Sequence, residues 1–287
     1  MEIFTKSIND KWKLYILENN NGMQVHILNF GGIITKILVP DKNGVFENVV
    51  LGYKNLQDYE VNSNFFGAII GRVAGRIAGA SFKLEDHEFV LEKNEGENLL
   101  HSGKSGFQNV IWEGKPFKTD DEVGVELFYL SRNGDGGFPG NVKVTATYLL
   151  NNENQLIVRY NAETDQTTPI TLTNHTYFNL TGNLKDTIIN HKVKFNSHRF
   201  LELNSELIPT GKIRDTENTT FDFSKGRKLK DGMASNDIQN QIVGNGYDHY
   251  FLFNQGEKGQ VVVKEETSGR VLKIETNQPG MVMYTGN

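Results

Sequence analysis

The chain has 287 residues, 37% hydrophobic and 23% charged, with a formal net charge of -5. This balance suits a soluble globular protein with enough chain to bury a large core, and its mild acidity gives no field attractive to nucleic acid or anionic lipid. The absence of cysteine excludes disulfides, zinc–thiolate centres and thiol nucleophiles. The first residues lack the basic start and apolar run of a secretory signal, and no apolar stretch reaches membrane-spanning length, so a cytoplasmic protein without a membrane partner is expected.

Taken in chain order, the elements are mostly strands. Met23–Leu28 and Ile33–Val39 lie either side of Gly31-Gly32, which reads as a bend or bulge. Asp41-Lys42-Asn43-Gly44 is a turn, and Leu56–Val61 can form one short helix. Ala80–Leu84 and Glu88–Leu91 flank Glu85-Asp86 as a hairpin. From Val142 to Tyr148 apolar Val142, Val144, Ala146 and Tyr148 alternate with polar Lys143, Thr145 and Thr147, the signature of a half-buried strand. The polar run Lys225–Asn240 reads as a long surface loop. Gln260–Lys264 and Arg270–Glu275 flank Thr267-Ser268-Gly269 as a further hairpin. Many short strands with few helices predict an all-β, antiparallel sandwich or barrel, and with no linker or repeat one domain over 1–287 is the simplest organisation.

Several chemical motifs are ruled out. The glycines of Asn133–Gly140 precede a strand rather than a helix, so they do not make a dinucleotide loop. Neither a P-loop nor a Gly-x-Ser-x-Gly elbow is present. The seven histidines, at 26, 87, 101, 175, 191, 198 and 249, form no metal-binding array. His175 lies within Thr171–Leu180, where Asn174, His175 and Tyr177 would offer donors, acceptors and an aromatic platform, the mixture a carbohydrate site needs. Read alone, this stretch is more readily an ordinary strand with one satisfied histidine. His101 reads as a loop histidine, Asp248 as a turn or cap aspartate, and Arg76 as either a surface charge or part of a packed functional loop.

Seven segments in one order carry more: Gly71–Ile77 (GRVAGRI), Asn98–Gly103 (NLLHSG), Asp135–Gly140 (DGGFPG), Pro169–Leu180 (PITLTNHTYFNL), Ile208–Gly211 (IPTG), Gly246–Phe251 (GYDHYF) and Asn277–Asn287 (NQPGMVMYTGN). From about residue 20 onward the chain resembles the aldose 1-epimerase, or galactose mutarotase, family. The resemblance implies a large antiparallel β-sandwich, a supersandwich, and cofactor-free interconversion of the α- and β-anomers of hexoses such as galactose and glucose. It further implies that His175 is the general acid and His101 the second active-site histidine, with Arg76, Asp248 and Gln278 holding sugar hydroxyls. Gly75 stands where many members of that family carry asparagine.

Such a reaction opens a cyclic hemiacetal and recloses it on the other face of C1. It needs a proton delivered to the ring oxygen and one removed from the C1 hydroxyl, steps for which histidine is suited near neutral pH. No metal, nucleotide or covalent nucleophile is required, so no cofactor is expected. The family's general base is a glutamate on a strand beyond the segment at which this chain ends. The sequence therefore predicts a sandwich without its last strands, with exposed apolar edges and impaired catalysis. Two other readings stay open: a non-catalytic sugar-binding protein on the same scaffold, and an enzyme for hexose 6-phosphates, which would need a basic cluster the sequence does not show. A monomer or homodimer acting on a small free hexose is expected.

Overall fold

The computed structural model describes residues 1–254 and 259–287. They form two compact units, one of Met1–Val39 with Phe46–Phe178 and one of Pro40–Val45 with Asn179–Asn287.

The first unit is built on two antiparallel sheets. One is a five-stranded meander of Glu2–Ser7, Lys13–Glu18, Gln24–Leu28, Ile33–Pro40 and Phe46–Asn48. The other runs Glu113–Lys118, Glu122–Ser131, Val142–Asn151 and Leu156–Thr164 in that order. The predicted alternation fixes the face that Val142–Asn151 buries: Val142, Val144, Ala146 and Tyr148 are all buried while Lys143 is exposed. Burying four such side chains contributes on the order of 1.5–3 kcal/mol for each of the large ones. The Gly31-Gly32 bend forms as read, with φ of 63° and 57°. A Cβ on Gly31 would lie 2.5 Å from the Gln108 carbonyl oxygen, and one on Gly32 would lie 2.3 Å from Ile69, so neither position can carry a side chain without moving its neighbour. The predicted short helix is a 3₁₀ segment, Leu56–Val61, anchored by buried Tyr59. The predicted hairpin pairs Ser81–Leu84 with His87–Val90.

The second unit is two four-stranded sheets around an aromatic core. Arg227–Lys228, Lys192–Phe195, Gly259–Lys264 and Val271–Thr276 form one sheet, in that order. Pro209–Asp215, Arg199–Leu203, Asp248–Leu252 and Gly280–Tyr284 form the other. Val193, Phe195 and Val261 of the first sheet meet Phe200 and Phe251 of the second in a core completed by Phe221, Phe223 and Tyr247. The hairpin expected around Thr267-Ser268-Gly269 joins Gly259–Lys264 to Val271–Thr276.

The reading of Lys225–Asn240 as a surface loop is corrected. It contains the strand Arg227–Lys228, the short helix Lys230–Met233 and the start of a second helix, Ile238–Ile242. Gln239 and Asn240 are buried because their amides complete main-chain hydrogen bonds. Gln239 accepts from the Leu203 N–H at 2.8 Å and donates to its carbonyl at 3.0 Å, while Asn240 donates to the Gly246 carbonyl at 2.8 Å. A polar composition therefore conceals buried residues whose partners are backbone groups.

Candidate active site

Four of the seven sequence segments are knitted together within the first unit. Gly71–Ile77 runs between two neighbours. On one side Thr171 N–H donates to the Arg72 carbonyl at 2.8 Å, and Ala74 N–H donates to Thr171 Oγ1 at 2.9 Å. On the other side Val73 N–H donates to Ser102 Oγ at 2.9 Å, and His101 N–H donates to the Gly75 carbonyl at 2.9 Å. Arg72 binds the fourth segment. The residue is only 2% exposed, and its guanidinium donates to the carbonyls of Arg132, Pro139 and Gly140 at 2.8, 2.6 and 2.7 Å and to the Ser131 carbonyl at 3.2 Å. The glycine-rich stretch thus turns carbonyl oxygens inward onto a cation, the opposite of the N–H cradle a phosphate requires.

The histidine strand is positioned from below. Thr173–Asn174 pairs with Ile69–Ile70, and the ladder continues as His175 N–H donates to the Ala68 carbonyl at 2.8 Å while Gly67 N–H donates to the His175 carbonyl at 2.9 Å. Strand alternation then separates Asn174 from His175. The Asn174 amide donates to the Gly67 carbonyl at 3.1 Å and to the Tyr148 hydroxyl at 3.3 Å, so its donors are directed to the interior. Tyr177 stays beside His175, with ring centroids 5.1 Å apart and its hydroxyl donating to the Asn64 carbonyl at 3.0 Å.

His175 and His101 come together edge to face, with ring centroids 5.2 Å apart and planes at 83°. Phe65 contacts both, at 4.8 Å from His101 and 5.7 Å from His175. It is held there by an unusual backbone. Its φ is 58°, and Asn62 clamps the turn by accepting from the Phe66 N–H at 2.9 Å and donating to the Phe66 carbonyl at 3.1 Å.

The two imidazoles are electrostatically different. The main-chain N–H of Gly75 donates to His101 Nδ1 at 3.0 Å. Nδ1 is therefore an acceptor, and the proton of the neutral ring sits on Nε2. Burial, reinforced by the charges of His175 and Arg76, holds His101 down at about 3. Burial also lowers His175, opposed by its own backbone hydrogen bond. The pair thus carries at most one positive charge near neutral pH, and it resides on His175. His101 is a fixed neutral donor through Nε2–H.

Arg76 lies beside this pair on the short strand Arg76–Ile77, which pairs with Leu99–Leu100 immediately before His101. Glu95 grips its guanidinium bidentately, Nε to Oε2 at 2.5 Å and Nη2 to Oε1 at 2.8 Å. Thus His101, His175 and Arg76, three of the five predicted site residues, are brought together in the first unit. Asp248 and Gln278 belong to the second unit. Asp248 is half-buried at the start of Asp248–Leu252. Its neighbour His249 faces the core, fully buried and edge-on to Phe200 and Phe221. Gln278 is exposed in the turn between Val271–Thr276 and Gly280–Tyr284, its N–H donating to Thr276 Oγ1 at 3.1 Å. Phe65 and Glu95 were not anticipated. Among the described residues no cluster of three or more His, Asp or Glu is arranged to hold a metal ion, and no helix is long and apolar enough to cross a membrane.

Antiparallel β-sheets carrying an imidazole pair flanked by an arginine are the arrangement expected of a sugar-handling β-sandwich protein, and comparison with known proteins places the chain in a family. The profile of the aldose 1-epimerase family matches residues 13–287. The galactose mutarotase of Sus scrofa is 39% identical over 267 residues, covering 92% of this chain and 75% of that protein. The aldose 1-epimerase of Streptococcus thermophilus is 35% identical over 274 residues, covering 94% of this chain and 76% of its own length. The crystal structure of galactose 1-epimerase from Lactobacillus acidophilus superposes with a TM-score of 0.88 at 30% identity, covering 99% of this chain and 82% of that one. This chain belongs to the aldose 1-epimerase family.

Proposed function

We propose that the protein interconverts the α- and β-anomers of free aldohexoses such as galactose and glucose by acid–base opening and reclosure of the ring. Membership of the family supports the reaction, and the galactose-named relatives support the substrate class. The observation that carries the assignment of roles is the unequal imidazole pair. His101 cannot take up a proton at Nδ1 without losing the Gly75 hydrogen bond, whereas His175 is the ring on which a proton can reside. We assign delivery of the proton to the ring oxygen to His175, and a hydrogen bond from Nε2–H to a sugar oxygen to His101; the C1 hydroxyl proton passes to solvent water, since none of these side chains is assigned to take it. Arg76 supplies directional donors to hydroxyls. Phe65 and Tyr177 offer rings for the apolar face of the sugar. The resemblance, rather than a distance, supports assigning Asp248 and Gln278 to sugar hydroxyls.

Burial lowers His175, so in the sugar-free chain the acid is mostly neutral at pH 7. The proton-delivering form grows as pH falls from 8 toward 6, and the anomerisation rate rises with it. Polarimetry of freshly dissolved α-D-galactose tests the proposal. The chain should speed the approach to the equilibrium rotation, and His175→Asn should slow it by about 10²–10⁴-fold, the usual share of a general acid. An unchanged rate in His175→Asn would remove that residue from the reaction.

A further inference from the structure

We infer that Glu95 is a positioning residue for sugar binding, acting only through Arg76; this rests on the proposed reading of the site. The Arg76 side chain is 16% exposed and springs from a two-residue strand that pairs with Leu99–Leu100. A long side chain on such a short element keeps much of its rotamer freedom unless something holds the head group. Glu95 holds it by two parallel charge-assisted hydrogen bonds, which fix the plane of the guanidinium as well as its position. That plane sets the direction from which a hydroxyl can accept a bond from Arg76.

Glu95 also has no comparable role of its own. The turn on which it sits is closed by backbone atoms, Asn98 N–H donating to the Glu95 carbonyl at 2.9 Å and Glu95 N–H donating to the Asn98 carbonyl at 3.2 Å. Its carboxylate is therefore available for Arg76 without being needed for the turn. It adds a second effect. The Arg76 charge disfavours protonation of His101, and an adjacent carboxylate balances that charge while leaving the guanidinium donors in place. A glutamate of this kind restricts Arg76 in advance, so the sugar does not bear the ordering cost when it binds.

Glu95→Gln keeps the turn and the side-chain size while removing the charge. The test is steady-state anomerisation of α-D-galactose, alongside calorimetric binding of D-galactose, for the wild-type chain, Glu95→Gln, Arg76→Ala and the double variant. The expected result is a KM and a Kd raised roughly tenfold in Glu95→Gln, the loss of well-oriented charge-assisted hydrogen bonds, with kcat changed less than about threefold. In the Arg76→Ala background Glu95→Gln should add nothing. An unchanged KM in Glu95→Gln, or a tenfold rise that persists without Arg76, overturns the inference while leaving the proposed reaction intact. If the wild-type chain binds galactose without catalysing, the reaction fails and the Kd values alone decide on Glu95. If it neither binds nor catalyses, both fall. Equal thermal midpoints for wild type and Glu95→Gln confirm that the variant is folded when these values are read.

Discussion

Acidification from pH 7 to pH 5 should strip the first unit of about 4 kcal/mol of stability, well before its carboxylates begin to protonate. Two half-buried histidines are responsible. His26, on the strand Gln24–Leu28, is held at about 4 by burial together with Lys36 and Lys6. His101 is held at about 3 by burial together with His175 and Arg76. Well above pH 6.5 neither the folded nor the unfolded chain binds these protons, and stability is at its full value. As pH falls below 6.5 the unfolded chain takes them up and the folded chain does not, so stability is lost progressively toward pH 4 and 3. Linkage gives about 2 kcal/mol per histidine between pH 7 and 5, and burial of His175 adds in the same direction. The loss is a large part of the roughly 5–15 kcal/mol typical of a folded protein. Both tryptophans, Trp12 and Trp112, are buried in the first unit, so their emission during urea unfolding reports on it. The free energy from the midpoint and slope should fall by about 4 kcal/mol, and by about 2 kcal/mol in His26→Gln, which keeps a polar side chain without the titration. A loss below about 1 kcal/mol in the wild-type chain would refute the reasoning, because it would mean these rings protonate as easily folded as unfolded.

Two further perturbations test the scaffold beneath the histidines. Arg72→Met should cost at least about 3 kcal/mol by denaturant unfolding, because four carbonyls lose a buried donor, and Arg72→Lys should recover little because a point ammonium cannot serve a fan of acceptors. Gly67→Ala should cost about 2–4 kcal/mol and depress kcat, since its φ is 66° and the new Cβ would meet the Ile34 carbonyl oxygen at 2.1 Å, displacing the strand that carries His175.

The strands were legible wherever one face is buried and the other wet. Val142–Tyr148 shows this in its alternation, and the two hairpins show it in turn residues set between apolar runs. The paired glycines at 31 and 32 were legible as a bend, where a Cβ would collide with Gln108 or Ile69. Lys225–Asn240 was not, because Gln239 and Asn240 are buried by hydrogen bonds to main-chain atoms, which leave no trace in hydropathy. The same physics hid part of the site. Asn174 sits one residue from His175, and the pleat turns it inward to Gly67 and Tyr148. Phe65 reaches both imidazoles through a left-handed backbone, a conformation that hydropathy patterning does not report. Glu95 precedes a glycine in a charged stretch, and only the short pairing of Arg76 with Leu100 brings it to the guanidinium. The histidine and arginine positions came instead from the collinear order of the seven segments, three of which supply them.

The atom that selects the tautomer of His101 belongs to the main chain. An amide hydrogen is present whatever side chain position 75 bears, provided the residue is not proline and can hold φ near 87°. Glycine and asparagine both tolerate that angle, and the space around a Cβ there is open. The position can therefore exchange one for the other over evolutionary time while the imidazole stays protonated at the same nitrogen. What this hydrogen bond asks of position 75 is a backbone direction, and a side chain there is a separate matter from the tautomer of the imidazole.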